Sequence, residues 1–523
     1  MKHYDYHWAF NAAKQIMKIH GDRKEYTCEA GITPSGTIHI GNFREMITVE
    51  LVVRALNKLG KKTRYLYVWD DYDVFRKVPA NMPKKELLEK YLRQPIIDVP
   101  DTFGEYKSFA ERNMRKVEEV LPVVGINPVF VSQAARYKKC MYAKEMDFCL
   151  QKTDGIKKIL DKYRKEPLPK EWLPVSIFCE KCNRDTITKM EYKGDHKVYY
   201  KCDCGHDDTF DIRKKGIIKL RWRVDWPMRW HYEKVACEPA GKDHYAAGGS
   251  RDSSDEMQKA LWNEIPPYGF MYEWIAIKGG GEFSSSKGVV TTLHDVLEVY
   301  EPEIIRWLFA GTRPSATFNI AFDADVIKIY EDFERCERVY FGKEKVSEKE
   351  ALKQKAIYEL SIPSDKPEKN FPLQPAFRNI TYMLQAYNFD QKKTFNHFKA
   401  DAKTRFDEER IKRRISCAKN WLEKHAPEEF KFAVRKDFNK KYYDSLAEKE
   451  KAGLKQLVQL LDGFKGDSDD LATEIFKIPK STGLDMGTFF KVVYNMIIGK
   501  DKGPKLAGFI LDVGVDNVRM LLK

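Results

Sequence analysis

The stretch from Tyr26 to Asp73 limits the folds open to this chain more than any other. The run Tyr26-Thr27-Cys28-Glu29-Ala30-Gly31-Ile32 reads as a strand, and after the breaker Pro34-Ser35-Gly36 the apolar residues Met46, Val49, Leu51, Val52, Leu56 and Leu59 mark a helix between Ile38 and Leu59. A second run rich in strand formers, Arg64 to Trp69, ends in Asp70-Asp71-Tyr72-Asp73. Strand, loop, helix and strand in that order make a βαβ unit, with the loop at the carboxyl edge of a parallel sheet, where open α/β sheets bind ligands. A helix over Tyr4 to His20, broken by Gly21-Asp22, precedes the unit.

Further along, sheet-like runs return at Ile217 to Val224 and at Gly269 to Ile277, separated by a Gly-rich segment and a helix expected over Asp255 to Ile265. They read as the second half of one domain. The irregular stretch between them and the βαβ unit reads as an insertion, and beyond Glu301 the pattern turns almost continuously helical. The resulting division is a split catalytic domain at 1–79 and 215–300, an insertion at 80–214, a linking helical domain at 301–375 and a helical domain at 376–523.

With 523 residues, several cores are expected; 43% hydrophobic and 13% aromatic residues rule out a disordered chain. Lys and Arg number 92 against 78 Asp and Glu, a net charge of +14 that suits a polyanion such as RNA. No stretch of about 18 uninterrupted apolar residues occurs and the N-terminus lacks a secretory pattern, so a cytoplasmic protein with no membrane partner is expected.

Two short strings carry chemistry. In Gly31-Ile32-Thr33-Pro34-Ser35-Gly36-Thr37-Ile38-His39-Ile40-Gly41-Asn42 the small residues let a nucleotide lie against the backbone. His39 and Asn42, three apart at a helix start, face a phosphate at the helix N-terminus. Alone, the string is also what an ordinary capped helix looks like. The second, Gly279-Gly280-Gly281-Glu282-Phe283-Ser284-Ser285-Ser286-Lys287-Gly288, joins a glycine run, hydroxyl donors and a lysine able to close over a triphosphate.

Order, spacing and placement of the pair resemble the class I aminoacyl-tRNA synthetases, whose His-Ile-Gly-His-like and Lys-Met-Ser-Lys-Ser-like motifs follow an early and a late strand. Asn42 in fourth place and a triple Ser before Lys287 are similar to the lysyl branch of that family, as are Asp70 to Pro79, Arg221 to Pro227 and Gly241 to Asp252. The resemblance spans about Thr27 to Phe322 and fades beyond. It implies an α/β, Rossmann-type catalytic domain with a zinc-containing insertion, followed by an α-helical C-terminal anticodon-binding region. The implied reaction activates L-lysine with ATP, used with Mg2+, and transfers it to tRNA(Lys); a monomer is expected.

On this reading His39 and Asn42 serve the phosphates, Lys287 the departing pyrophosphate, and Ser284, Ser285 and Ser286 the closing loop. ATP is expected against Pro34, Ser35, Gly36, His39, Gly41, Asn42 and Lys287, with Gly241, Asp243 and His244 near the ribose or the substrate and Gly248 and Gly249 admitting the adenine. A buried ε-ammonium needs an anion and an aromatic wall. Asp225, Asp71 or Glu29 are the candidate anions, Trp222 and Tyr272 the wall, His244 a further contact, and Gly31 and Thr33 suit the α-amino end.

Cys179, Cys182, Cys202 and Cys204 form two hairpin knuckles, the usual four-thiolate arrangement of structural zinc, although one spacer residue is missing from the second pair and His206 is an alternative ligand. The family often binds a second zinc near Asp-Val-Pro-Asp-x-Phe-Gly; Asp98 to Gly104 keep that frame without Cys or His, so no second metal is expected. For RNA, the basic stretches at Arg410, Lys412, Arg413 and Arg414 and at Arg435 to Tyr443 are the candidates. A glutamyl-type synthetase would need a cationic pocket, for which Arg223 is available; a nucleotidyltransferase with the same ATP motif, or a non-catalytic binding paralogue, are the other readings.

Overall fold

The structure, a computed structural model, describes residues 2–278 and 290–523. Ser284, Ser285, Ser286 and Lys287 therefore lie outside the described residues. The chain divides into two compact units: residues 1–297, 302–320 and 335–369, and residues 298–301, 321–334 and 370–523.

In the first unit α1 (Trp8–His20) turns Ala9, Phe10, Ala13 and Ile16 inward. His7 caps it: Nδ1 accepts the Ala9 amide at 3.1 Å, so Nε2 carries the proton and donates to the Ala310 carbonyl at 2.8 Å. Burial pushes the His7 pKa down to about 4, which keeps the ring neutral. β1 (Tyr26–Ile32) pairs in parallel with β2 (Thr63–Trp69), from Tyr26 opposite Thr63 to Ile32 opposite Trp69, and α2 (Ile40–Lys58) is the crossover between them. β3 (Val129–Ser132) lies beside β2, so three strands run together before the insertion begins its own sheets.

β4 (Val175–Ile177), in the insertion, later pairs antiparallel with the chain's return, while β5 (Ile187–Gly194), β6 (Lys197–Cys202) and β7 (Asp207–Asp211) form an antiparallel meander. β8 (Ile218–Leu220) is the partner of β4, and β9 (Val235–Cys237) rejoins β1 to complete a four-stranded parallel sheet in the order β3-β2-β1-β9. Two short parallel pairs follow: β10 (Ala240–Gly241) with β11 (Met271–Tyr272), and β12 (Ile275–Ile277) with β13 (Phe318–Ile320). Cys28, Ala30, Tyr67 and Val68 are all buried, as expected of parallel strands covered on both faces.

Three expectations change. The sheet-like run 217–224 is a strand only over Ile218–Leu220; from Trp222 the chain is a helix to Glu233. Trp222, Trp226 and Trp230 stand four apart, the spacing of one helical face, and that stacking outweighs the β propensity of Val224 and the tryptophans. Pro227 lies within this helix and removes one backbone donor. The run 269–277 is not one strand but β11 and β12, which belong to different pairs, and the helix expected over Asp255 to Ile265 begins earlier, spanning Ser250–Trp262.

Every named element of the second unit after residue 370 is helical among the described residues, around a core that includes Leu454, Leu457, Phe489, Val493 and Phe509. The basic stretch at 410–414 is corrected here. Arg410 and Arg414 are buried on helix Arg405–Lys424 beside Ile411 and Ile415. Arg414 donates to Glu301 at 2.6 Å, to the Pro375 carbonyl at 2.7 Å and to Glu334. Residues four apart share a helix face, so these two arginines brace the interior, while Lys412 stays exposed.

Candidate active site

A cavity of about 530 Å³ opens at the carboxyl edge of the parallel sheet, in the first unit. Gly31 and Thr33 after β1, Gly41 and Asn42 at the start of α2, and Gly241, Asp243, His244, Trp222 and Tyr272 all line it. Residues distant in sequence are thus gathered where a parallel sheet offers its crevice. Gly31 is required sterically: a Cβ there would stand 2.6 Å from the Val68 carbonyl oxygen. Asn42 accepts the His39 backbone N–H at 3.1 Å, closing the first turn of α2, and the Ile40 amide donates to Thr291 at 2.9 Å. The chain four residues beyond Lys287 is therefore fastened to the first residue of α2.

The aromatic wall is a stack. Trp222 lies 5.1 Å from Trp226 at 18°, and the Trp226 and His244 rings are 5.3 Å apart. Burial lowers the His244 pKa, and its Nδ1 lies 2.7 Å from the Ser250 hydroxyl.

The floor is acidic. Arg229, 2% exposed, donates to Asp70 at 2.6 Å and lies 3.6 Å from Glu29 and 3.8 Å from Asp225, with Glu238 also in its field. Burial raises Asp70 to about 6 against the pull of Arg229, and it raises Glu29 well above the usual carboxylate range. Glu45, which accepts the Gly31 amide at 2.8 Å, is pushed by burial to about 8. Asp73 differs: burial would raise it, but the Lys219 ammonium at 2.5 Å and the Thr33 hydroxyl at 2.9 Å hold it below the usual range. Asp70, Asp73, Glu45 and Glu238 line the cavity.

Several expected residues sit elsewhere. Asp71 is fully buried and accepts from the Ser132 hydroxyl at 2.5 Å and the Ala134 amide at 2.8 Å, tying β2 to the segment after β3; it does not line the cavity. Asp225 accepts from the Tyr137 hydroxyl, and neither it nor Glu29 lines the cavity. His39 lines a neighbouring cavity of about 500 Å³ with Thr37 and His294, and burial lowers its pKa. Ser35 lines a third, of about 440 Å³, while Pro34 and Gly36 line none of these three.

Gly248 and Gly249 shape the turn into helix Ser250–Trp262: Gly248 has φ +75°, and a Cβ on Gly249 would meet the His244 carbonyl at 2.4 Å. Arg223 donates to the Gly248 and Gly249 carbonyls at 3.0 and 3.1 Å, so its guanidinium is committed away from the cavity.

Sequence reasoning passed over Asp70, Asp73, Lys219 and Glu238. The tetrad Asp70-Asp71-Tyr72-Asp73 was in view, but only the turn after β2, closed by the Asp73 amide on the Asp70 carbonyl, decides which carboxylates face outward. Trp226, by contrast, had a legible signal in the four-residue spacing of the tryptophans.

In the insertion the four Cys Sγ atoms lie within 4.8 Å of one another, with Cys179–Cys204 and Cys182–Cys202 both at 3.7 Å. A tetrahedral ion with bonds of about 2.3 Å has sulfur–sulfur edges of about 3.8 Å, so the group can hold a metal. Despite the shortened spacer, the four thiols converge without His206.

A family model described as tRNA synthetases class I (K) matches residues 6–364. The chain is 46% identical over 516 residues to a Borreliella burgdorferi protein named lysine–tRNA ligase, covering 98% of this chain and 97% of that one. Proteins of the same name from Treponema pallidum and Pyrococcus horikoshii are 40% and 38% identical, covering 99% and 96% of this chain and 98% and 97% of theirs. On this match, which takes in the signature loop, the acidic cavity and the cysteine cluster, the chain belongs to the class I tRNA synthetase family.

Proposed function

We propose that this chain is a lysine–tRNA ligase: it activates L-lysine with ATP and transfers the lysyl group to tRNA(Lys). The observation that carries the reading is the near-complete coverage of relatives so named, 46% identical in the first of them. The acidic floor agrees with it, since a buried ammonium needs counter-charge, and Arg223, the cation a glutamyl-type pocket would use, is occupied.

A lysine carboxylate oxygen attacks the α-phosphorus of ATP, and the bond to the β-phosphate oxygen breaks to release pyrophosphate. A ribose hydroxyl of the tRNA then attacks the carbonyl carbon of the adenylate; the bond to the phosphate oxygen breaks, AMP leaves and the hydroxyl proton is released. Neither step demands an unusually strong base, so the protein acts by positioning and charge. His39, Asn42 and Lys287 are assigned to the phosphates, Ser284 to Ser286 to the loop over them, and Gly41, Gly241 and Asp243 to the nucleoside. Gly31 and Thr33 take the α-amino end of lysine, and Trp222, Tyr272 and His244 flank its methylenes. Asp70, Asp73 and Glu238 face the ammonium, while Asp71 and Asp225 hold the surrounding elements through Ser132 and Tyr137.

Two further assignments complete the reading. Cys179, Cys182, Cys202 and Cys204 hold a structural zinc, which with four protein ligands has no open position for catalysis. The helical region at 376–523 reads the tRNA through exposed groups such as Lys412 and Arg435.

Lysine-dependent pyrophosphate exchange tests the reaction, with other amino acids as controls and with tRNA added or omitted. Exchange with lysine is expected; exchange only with glutamate or arginine overturns the substrate, and none with any amino acid overturns the reaction.

A further inference from the structure

Asp70 lines the main cavity, and Arg229 donates to it from Nη1 at 2.6 Å. The same Nη1 lies 3.8 Å from Asp225, beyond hydrogen-bond reach. Asp225 stands one helical turn before Arg229 on helix Trp222–Glu233 and is 1% exposed, so a second buried carboxylate is placed to draw the same guanidinium away. What holds it back comes from another element.

Tyr137, on helix Gln133–Lys138, donates its hydroxyl proton to Asp225. The same hydroxyl accepts the Leu220 amide at 3.3 Å, so both of its roles are filled and the bond to Asp225 has one direction. The ring is equally fixed. It is fully buried, stacks on Tyr72 at 6.0 Å and 26°, and meets the Tyr142 ring edge-on at 5.0 Å. Gly216 closes the packing: a Cβ there would stand 2.4 Å from the Tyr137 carbonyl oxygen. Among the described residues no other group donates a hydrogen bond to the Asp225 carboxylate. A chain of contacts therefore runs from Tyr137 to Asp225, on toward Arg229, and from Arg229 to Asp70.

We infer that Tyr137 is a positioning residue for the lysine site: its hydroxyl occupies Asp225 and so reserves the Arg229 guanidinium for Asp70, which faces the substrate ammonium. This rests on the lysine–tRNA ligase reading. Without the hydroxyl, the buried Asp225 is left with Arg229 and competes with Asp70 for Nη1. Asp70 then keeps its proton to higher pH, and a protonated acid gives an ammonium no counter-charge. The other groups around Asp70, which are Lys219, Asp73, Glu29 and Glu45, and those around Asp225, which are Lys219, Tyr142 and Cys149, are untouched by the change.

The test follows lysine affinity against pH in the wild type, Tyr137→Phe, Asp225→Asn and the double variant, with ATP affinity measured alongside. Tyr137→Phe keeps the ring and is expected to move the acidic fall-off in lysine affinity up by about one pH unit, weakening binding about fivefold at pH 6 and less than about twofold at pH 8. Asp225→Asn removes the competing charge and is expected to move the fall-off down, and adding Tyr137→Phe to it is expected to change nothing further. A loss of the same factor at every pH, with ATP affinity falling in parallel, is what a merely structural role gives, and it overturns the proposal. So does an upward shift of equal size in the Asp225→Asn background. Should the Asp225 variants not fold, Tyr137→Phe decides alone, by whether its loss is confined to low pH. If the wild type performs lysine-dependent exchange but its lysine affinity is flat from pH 6 to 8, the proposal fails and the function stands; if it performs no exchange with any amino acid, both fail.

Discussion

Buried arginines do different work in the two units. In the second, Arg414 pairs with Glu301 and Glu334 while Arg413 adds its charge beside Glu301 and Arg410 beside Glu334, so the carboxylates are fully matched by cations and the cluster joins helix Arg405–Lys424 to the start and middle of its own unit. In the first, Arg229, Lys219 and Arg251 stand among Glu29, Glu45, Asp70, Asp73, Asp225 and Glu238, so the carboxylates outnumber the cations. A balanced buried cluster spends its charge on specifying a packing arrangement, whereas an unbalanced one beneath a cavity leaves a field that a cationic ligand can complete. The excess is tempered by burial, which holds part of the floor protonated near neutral pH.

The contrast breaks if Arg414→Met does not unfold more readily. Removing this partner strands Glu301 and Glu334 and is expected to cost about 3–5 kcal/mol, read from denaturant unfolding, while lysine-dependent exchange per folded molecule is unchanged. Asp70→Asn should behave oppositely. It keeps the volume, loses a charge facing the cavity, and is expected to lower kcat/KM for lysine about tenfold to a hundredfold with the KM for ATP little altered. An unchanged lysine parameter would remove Asp70 from the ammonium site.

Proton linkage sharpens the same point. Asp70 at about 6 and Glu45 at about 8 are raised acids, so their protonated forms are favoured in the empty site below those values. An ammonium favours the ionised forms, so lysine binding releases protons and tightens as pH rises from 6 to 8, by up to about tenfold per pH unit for each proton released. Calorimetry in two buffers of different ionisation enthalpy should give different apparent enthalpies; identical values would mean that the floor does not titrate on binding. The smallest effect belongs to the exposed face of the helix that carries Arg414: Lys412→Ala should change stability by less than about 0.5 kcal/mol, while weakening tRNA binding more at low salt than at high.

Much of the frame was legible. Tyr26–Ile32 and the crossover to Trp69 follow from strand formers, a glycine-bearing break and helical spacing, all local signals. The cysteine cluster followed from spacing as well, since a knuckle is set by its own few residues. The site was less legible. Asp71 and Asp225 lie in the right segments yet turn to Ser132 and Tyr137, partners that sequence does not announce. The strand expected over 217–224 ends at Leu220, because the four-residue spacing of the tryptophans outweighs the β propensity of the residues after it.

The sequence by itself determined the βαβ unit, the signature loop at its carboxyl edge and the pairing of the four cysteines, because each depends on residues close together in the chain. Only the tertiary structure decided which acidic residues face the cavity and which arginines are buried braces. The physical reason is that burial and charge pairing are properties of neighbours in space. A carboxylate's side chain faces a ligand or a hydroxyl according to how elements over a hundred residues apart are packed, as β2 and helix Trp222–Glu233 are through Asp70 and Arg229, 159 residues apart in sequence.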